Sequence, residues 1–321
     1  MTSRKFTKNE RAAIPPGYEH IVERSQYDLV DKTWRDWNRE ARDFLAAETA
    51  LSLSVKGKYH SIQVSTTNYI VPQFDYSVGL VGMENWLLGQ KSAMLHGVKS
   101  GTEWLRDYFV QNPYSIKQLD LTDPDIETVR QFDHTIEKII DKLPHWQIDL
   151  LKSLKIIAVK EGILGRYHPV GRHVELHWIP IVIIADCLKV SIKDLTLVVF
   201  VHELAHAYTH SGMDVGGGYW SNDQFLAADM AVTEGLAQYY AYLFLVKQEP
   251  RRPEALEIFN RLLEYQPPDY HTHEKWLEGD QAAQGESIRL ALLQARLETS
   301  GCKEQHFSDY VAENRIRLGH P

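Results

Sequence analysis

The 321-residue chain has only two cysteines, Cys187 and Cys302, too few for a disulfide framework or a cysteine-rich zinc module. It also lacks any uninterrupted apolar run of the ~18 residues needed to span a bilayer, so no membrane association is expected. The opening MTSRKFTKNERAAIPPGYEH has no apolar segment of the secretory-signal kind, so the expected setting is the cytoplasm. Positive charge is in deficit too: 35 Lys and Arg against 43 Asp and Glu leave a formal net charge of -8. Phosphate backbones are held by clustered Lys and Arg, so nucleic acid is not an expected partner. With no repeat or low-complexity tract, what remains is a globular chain, 44% hydrophobic and 24% charged, long enough for one large domain or two ordinary ones.

Hydrophobic period and punctuation parse that chain. From about Asp28 to Leu51, Trp34, Trp37, Ala41, Phe44, Leu45 and Glu48 keep helical spacing. VKGKYHSIQVSTTNYIVPQF then reads as a strand or hairpin interrupted by Pro72, and helical patterns resume at 84–96, 102–110 and 123–143. Residues 1–145 read as an N-terminal region of mixed helix and hairpin in which no chemical motif is recognised. Beyond it, LKIIAV and ILGRYH are short β-like runs, and PVGR turns into HVELHWI, predicting a small sheet. Ser191 and Asp194 open a helix through Leu195, Val198, Val199, His202 and His206. After the loop around GGGYW, Ser221 or Asn222 caps a second long helix, predicted from Asp223 to Val246, and two or three further helices follow KQEPRRP. The expected class is α+β, mostly helical, with a core over 146–247 and a helical C-terminal region over 248–321.

The chemistry concentrates in VVFVHELAHAYTH, residues 198–210. His202 and His206, four residues apart on one helix, present both imidazoles on one face, as two ligands of one zinc ion require. Glu203 is offset by about 100° around the helix, so it can flank the ion without binding it and take a proton from a zinc-activated water. HELAH thus has the H-E-x-x-H spacing of metallopeptidases. A catalytic site needs a third protein ligand. Glu234, in AVTEGLAQYYAY, stands on a helix face shared with Ala227, Ala231, Gln238 and Ala241, where a carboxylate is costly unless paired. Asp214 and Asp229 are the other candidates, and their neighbourhoods fit less well. His210 lies about 80° around the helix from His202, better suited to the surroundings of the site than to the ion.

HELAH followed on the next helix by TEGLA resembles the gluzincin metallopeptidases, and TEGLA is similar to the Asn-Glu-Gly-Phe-Ala stretch of their zinc aminopeptidases. The resemblance covers roughly residues 150–247 and implies a zincin-like core, with zinc on His202, His206 and Glu234 and with Glu203 as general base. Three departures stand against an amine-reading exopeptidase. The gap from His206 to Glu234 is longer than in that family, and Thr233 replaces the asparagine. The stretch nearest to Gly-x-Met-Glu-Asn, VGMENW at Gly82 to Trp86, lies far upstream and is read as coincidence.

RHVELHW, residues 172–178, occupies the expected place of a substrate-binding edge strand, with Glu175 and His177 read as ordinary strand side chains. Tyr219, Tyr270, His271 and His273 are candidate donors to a developing oxyanion. The expected function is a zinc-dependent metallopeptidase acting on a peptide or protein. The alternatives are a scaffold with a vestigial or structural metal site, closed by His210 or Asp214, and a zinc amidase acting on a small substrate.

Overall fold

The computed structural model describes residues 7–16, 18–19, 21–55, 58–59, 61–70, 163–277 and 281–319, together with 131, 134 and 138. The chain divides into two compact units, residues 1–74 with 155–321, and residues 75–154; the elements below belong to the first. The helical patterns read at 84–96 and 102–110, and the run LKIIAV, lie outside the described residues. Of 123–143, residues 131, 134 and 138 are described and are helical.

After a single capped turn, α1 (Lys8–Arg11), the first long element is α2 (Arg24–Thr49). It buries Tyr27, Val30, Trp34, Ala41, Phe44 and Leu45, a stripe at three- and four-residue spacing, as its sequence predicts. A short hairpin, β1 (Ser54–Val55) with β2 (Lys58–Tyr59), leads to β3 (Gln63–Thr67). Two further strands, β4 (Gly165–His168) and β5 (His173–His177), join β3 in a mixed sheet of order β3-β5-β4. β3 runs parallel to β5, with Gln63 opposite His173 and Thr67 opposite His177, whereas β4 is antiparallel to β5.

RHVELHW therefore supplies a central strand, and the expectation of an edge strand there is corrected. β3, more than a hundred residues earlier, covers the side of β5 that local sequence leaves open. Nor does the strand continue through Trp178 and Ile179: they begin α3 (Trp178–Leu188), whose apolar WIPIVII is buried on nearly every side. Pro180 is tolerated there because the first-turn N–H groups of a helix need no intrahelical acceptor.

At the centre lies α4 (Ile192–Ser211), capped by Ser191, whose Oγ accepts the Asp194 N–H at 3.4 Å. It is buried almost all round, the character of a core helix rather than an amphipathic surface one. α2, α3, the sheet, α6 (Met230–Gln248) and α7 (Pro253–Leu263) pack against it. From the N-terminal region, the Trp34 ring meets Phe200 of α4 with centroids 6.2 Å apart, and Trp34 Nε1 donates to Thr66 of β3 at 3.0 Å. Beyond α7, a 3-10 helix (Pro268–Trp276) lies along α6, and α8 (Gln281–Ala295) packs on α9 (Glu304–Arg317). The chain is thus mostly helical with one small three-stranded sheet, and among the described residues no helix is long and apolar enough to cross a membrane. Both cysteines are free, and burial raises the pKa of each thiol.

The single helix predicted from Asp223 to Val246 is two. α5 (Asn222–Ala227) opens on a capping box between Ser221 and Gln224, and Ala228 and Asp229 then turn extended before α6. The break has a distant cause: the Asp229 N–H bonds to the Cys302 carbonyl at 3.0 Å instead of continuing a helical ladder. The Asp229 carboxylate takes Lys303 Nζ at 2.9 Å and the Glu304 N–H at 3.0 Å.

One glycine sets how closely sheet and helix approach. A Cβ on Gly165, at the start of β4, would lie 2.8 Å from Val199 Cγ1 and 3.0 Å from Glu203 Cγ. Glycine in a strand here marks a close approach. Gly165→Ala is therefore expected to push β4 off α4 and to cost about 1–3 kcal/mol, the usual penalty of overpacking, measured as a lower midpoint in urea unfolding.

Candidate metal centre

α4 and α6 lie side by side, and three of the predicted residues meet between them. His202 Nε2 lies 3.2 Å from Glu234 Oε2, His206 Nε2 lies 3.3 Å from Glu234 Oε1, and the two Nε2 atoms are 3.2 Å apart. All three side chains are largely buried. A tetrahedral shell with metal–ligand distances of about 2.0–2.1 Å has ligand atoms about 3.3 Å apart. The three separations therefore match the edges of one face of such a shell. They are longer than the ~2.7–2.9 Å of a charge-assisted hydrogen bond. Glu234 Oε2 is buried and makes no hydrogen bond, its approach to His202 lacking the required alignment. A buried carboxylate oxygen in that state asks for a cation. The donor set of two imidazoles and a carboxylate fits a zinc-like ion, and these residues could hold one.

The electrostatics agree. Burial pushes the Glu234 carboxyl towards the neutral form, but His206 and His202 more than offset this and hold it below the usual carboxylate range. Glu234 is thus ionised in an apolar place. Its neighbour Gly235 explains the Glu-Gly pair: a Cβ there would meet the Trp276 ring at 2.7 Å, so the glycine lets the 3-10 helix lie against α6.

A cavity of about 530 Å³ opens over the cluster, lined by His202, Glu203, His206, Glu234, Tyr270 and the strand β4 among others. Glu203 is buried at its wall beside Gly165. Of the four oxyanion candidates, Tyr270 lines this cavity, its ring stacked on His202 with centroids 5.9 Å apart. His273 is buried against Tyr242 and Phe259, with Nδ1 2.8 Å from the Tyr270 carbonyl. His271 pairs with Glu274, and Tyr219 lies under the Arg172 guanidinium.

The rival ligands serve other ends. Asp214 Oδ1 accepts the Gly218 N–H at 2.9 Å, closing its own loop, and Asp229 marks the break before α6. His210 is fully buried, with Nδ1 2.8 Å from the Tyr167 hydroxyl, which also lies 2.7 Å from Ser211 Oγ. Burial pushes the Tyr167 pKa up to about 12, keeping that hydroxyl protonated as a tie between β4 and α4. Among the described residues, no fourth His, Cys, Asp or Glu joins the three. The long loop after α4 is stapled by Arg296, whose Nη2 donates to the carbonyls of Gly212 at 2.6 Å and Gly218 at 2.9 Å.

Sequence reasoning missed a second group on the sheet, His168, His173 and Glu175. Its signal was available: the PVGR turn fixes a hairpin register that sets the two histidines opposite one another. Comparison of the chain with protein-family models, curated proteins and solved structures finds no match.

Glu234→Ala removes one of the three candidate ligands. It is expected to lower zinc affinity by more than the ~10–100-fold typical of changes behind a ligand and to lower the melting temperature, with Asp214→Ala leaving metal content unchanged. Elemental analysis and thermal unfolding of the purified variants check both.

Proposed function

We propose that this chain is a zinc-dependent metallopeptidase of gluzincin type, built on a zincin-like core and working in the cytoplasm. The observation that carries the reading is the convergence of His202, His206 and Glu234 at one cavity whose wall includes Glu203. A purely structural site has no use for that glutamate. The free thiols suit a reducing compartment.

His202, His206 and Glu234 would hold the ion. When bound, such an ion lowers the pKa of a water towards ~7 and polarises a carbonyl. Glu203 takes the proton of the attacking water at its carboxylate and returns it to the leaving amine. Tyr270, beside His202, donates its hydroxyl to the oxygen that gains charge. The substrate is a peptide or protein segment in extended form, lying along β4. Among the described residues β4 pairs on one side only, with β5, and it lines the cavity, so its outer backbone groups are the ones suited to main-chain pairing. This moves the docking strand from the RHVELHW segment to GRYH.

Glu203→Gln is expected to keep zinc and fold while lowering kcat/KM on a peptide library by about 10²–10⁴-fold, the usual share of a general base. A variant as active as the wild type would remove Glu203 from the mechanism. Hydrolysis confined to small amides, with peptides untouched, would favour the amidase alternative.

Tyr270→Phe keeps the ring on His202 and removes only the hydroxyl. It is expected to lower kcat by about 10²–10³-fold with KM little changed, as for loss of one oxyanion donor. Steady-state kinetics on the cleaved peptide separate this from a binding defect, which would raise KM instead.

A further inference from the structure

Antiparallel register sorts the side chains of β4 and β5 by face. Gly165, Tyr167, Val174 and Leu176 are buried, and Gly165 and Tyr167 contact α4; Arg166, His168, His173 and Glu175 take the opposite face. On that outer face His168 stands directly across from His173, and Glu175 follows two residues on. His168 Nε2 lies 3.3 Å from Glu175 Oε2, and His173 Nε2 lies 3.3 Å from Glu175 Oε1. All three ligand atoms fall within 4.8 Å of one another.

We propose that His168, His173 and Glu175 form a second metal site, for a divalent transition-metal ion, on the outer face of the sheet at the rim of the cavity. Both N···O separations repeat those of the first cluster and match the spacing of ligands about one ion better than a strong ion pair, which closes to ~2.7–2.9 Å. The donors are two imidazoles and a carboxylate, a set that suits zinc, nickel or copper rather than calcium or magnesium. The side chains are about a third exposed, at 32%, 34% and 27%, so a hydrated ion can reach them and keep water in its remaining positions. The rings are stacked and nearly parallel, with centroids 4.2 Å apart, whereas those of His202 and His206 meet edge to face, so one of these half-exposed rings turns out of the stack when both bind one ion.

The turn makes room for one of these side chains. A Cβ on Gly171 would lie 2.5 Å from His173 Nδ1, so the His173 imidazole occupies the space that only glycine leaves at that position. The glycine thereby leaves room for the ring over the turn, close to His168. An ion here clips β4 to β5 beside their turn, and β4 is the strand that lines the cavity. The site is independent of the peptidase reading.

The full chain, stripped with chelator and dialysed, is titrated with Zn2+ and with Ni2+ by calorimetry, and bound metal is counted by elemental analysis after gel filtration. Wild type is expected to bind two equivalents, H168A/H173A one, and H202A/H206A one. Circular dichroism verifies the fold of each. In folded H202A/H206A, added Ni2+ is expected to raise the melting temperature, and E175Q placed in that background is expected to weaken the remaining site by at least tenfold. Folded H202A/H206A that binds no metal would overturn the proposal. If that variant does not fold, equal stoichiometry in wild type and H168A/H173A would overturn it just as well. Loss of the His202-dependent equivalent alone would instead count against the peptidase reading and leave this site standing.

Discussion

Everything in the structure is arranged around a carboxylate and two imidazoles placed inside apolar packing. α4 is buried on nearly all sides, and α6 is buried along most of its length, yet Glu234 comes between His202 and His206 at their contact. An ionised group in such a place is tolerated only if a partner of opposite charge stands close, and removing one partner of a buried pair typically costs about 3–5 kcal/mol. The surrounding choices serve that constraint. Gly165 brings β4 close to Glu203, Gly235 admits Trp276, and the break at Ala228 and Asp229 lets α6 start afresh just before Glu234.

How much of this was readable in the sequence depended on how far away each partner lay. α4 was legible because its cap, its apolar run and its histidine spacing are all local. The pairing of Glu234 with the histidines was legible too, since a carboxylate among small apolar residues demands a partner. The break before α6 was not, because the carbonyl that captures the Asp229 N–H belongs to Cys302. The central position of β5 was hidden for the same reason: its second partner, β3, is more than a hundred residues away in sequence. Among four loop residues proposed as oxyanion donors, only packing could select Tyr270, since the 3-10 helix that carries it is set by its fit along α6.

The C-terminal segment is part of the centre rather than an appendage. Its 3-10 helix brings Tyr270 to His202, Arg296 fixes the loop after α4, and Lys303 and Glu304 hold Asp229. The N-terminal helix contributes from the other side, through Trp34 on Phe200 and the hydrogen bond to Thr66. Segments remote in sequence thus support one short stretch, and a substitution in any of them acts on the centre through packing.

The parallel pairing of Gln63–Thr67 with His173–His177 also bears on how the molecule comes into being. Closing so long a loop carries an entropic cost that local helix formation does not, and folds dominated by such pairings are slow to form. During synthesis β3 emerges first and remains without its neighbour until the whole intervening unit has been made. The sheet therefore closes late, whereas Glu234 and the two histidines, close together in sequence, meet over a far shorter loop. An exposed β3 is then the segment that a nascent chain has to keep from pairing elsewhere.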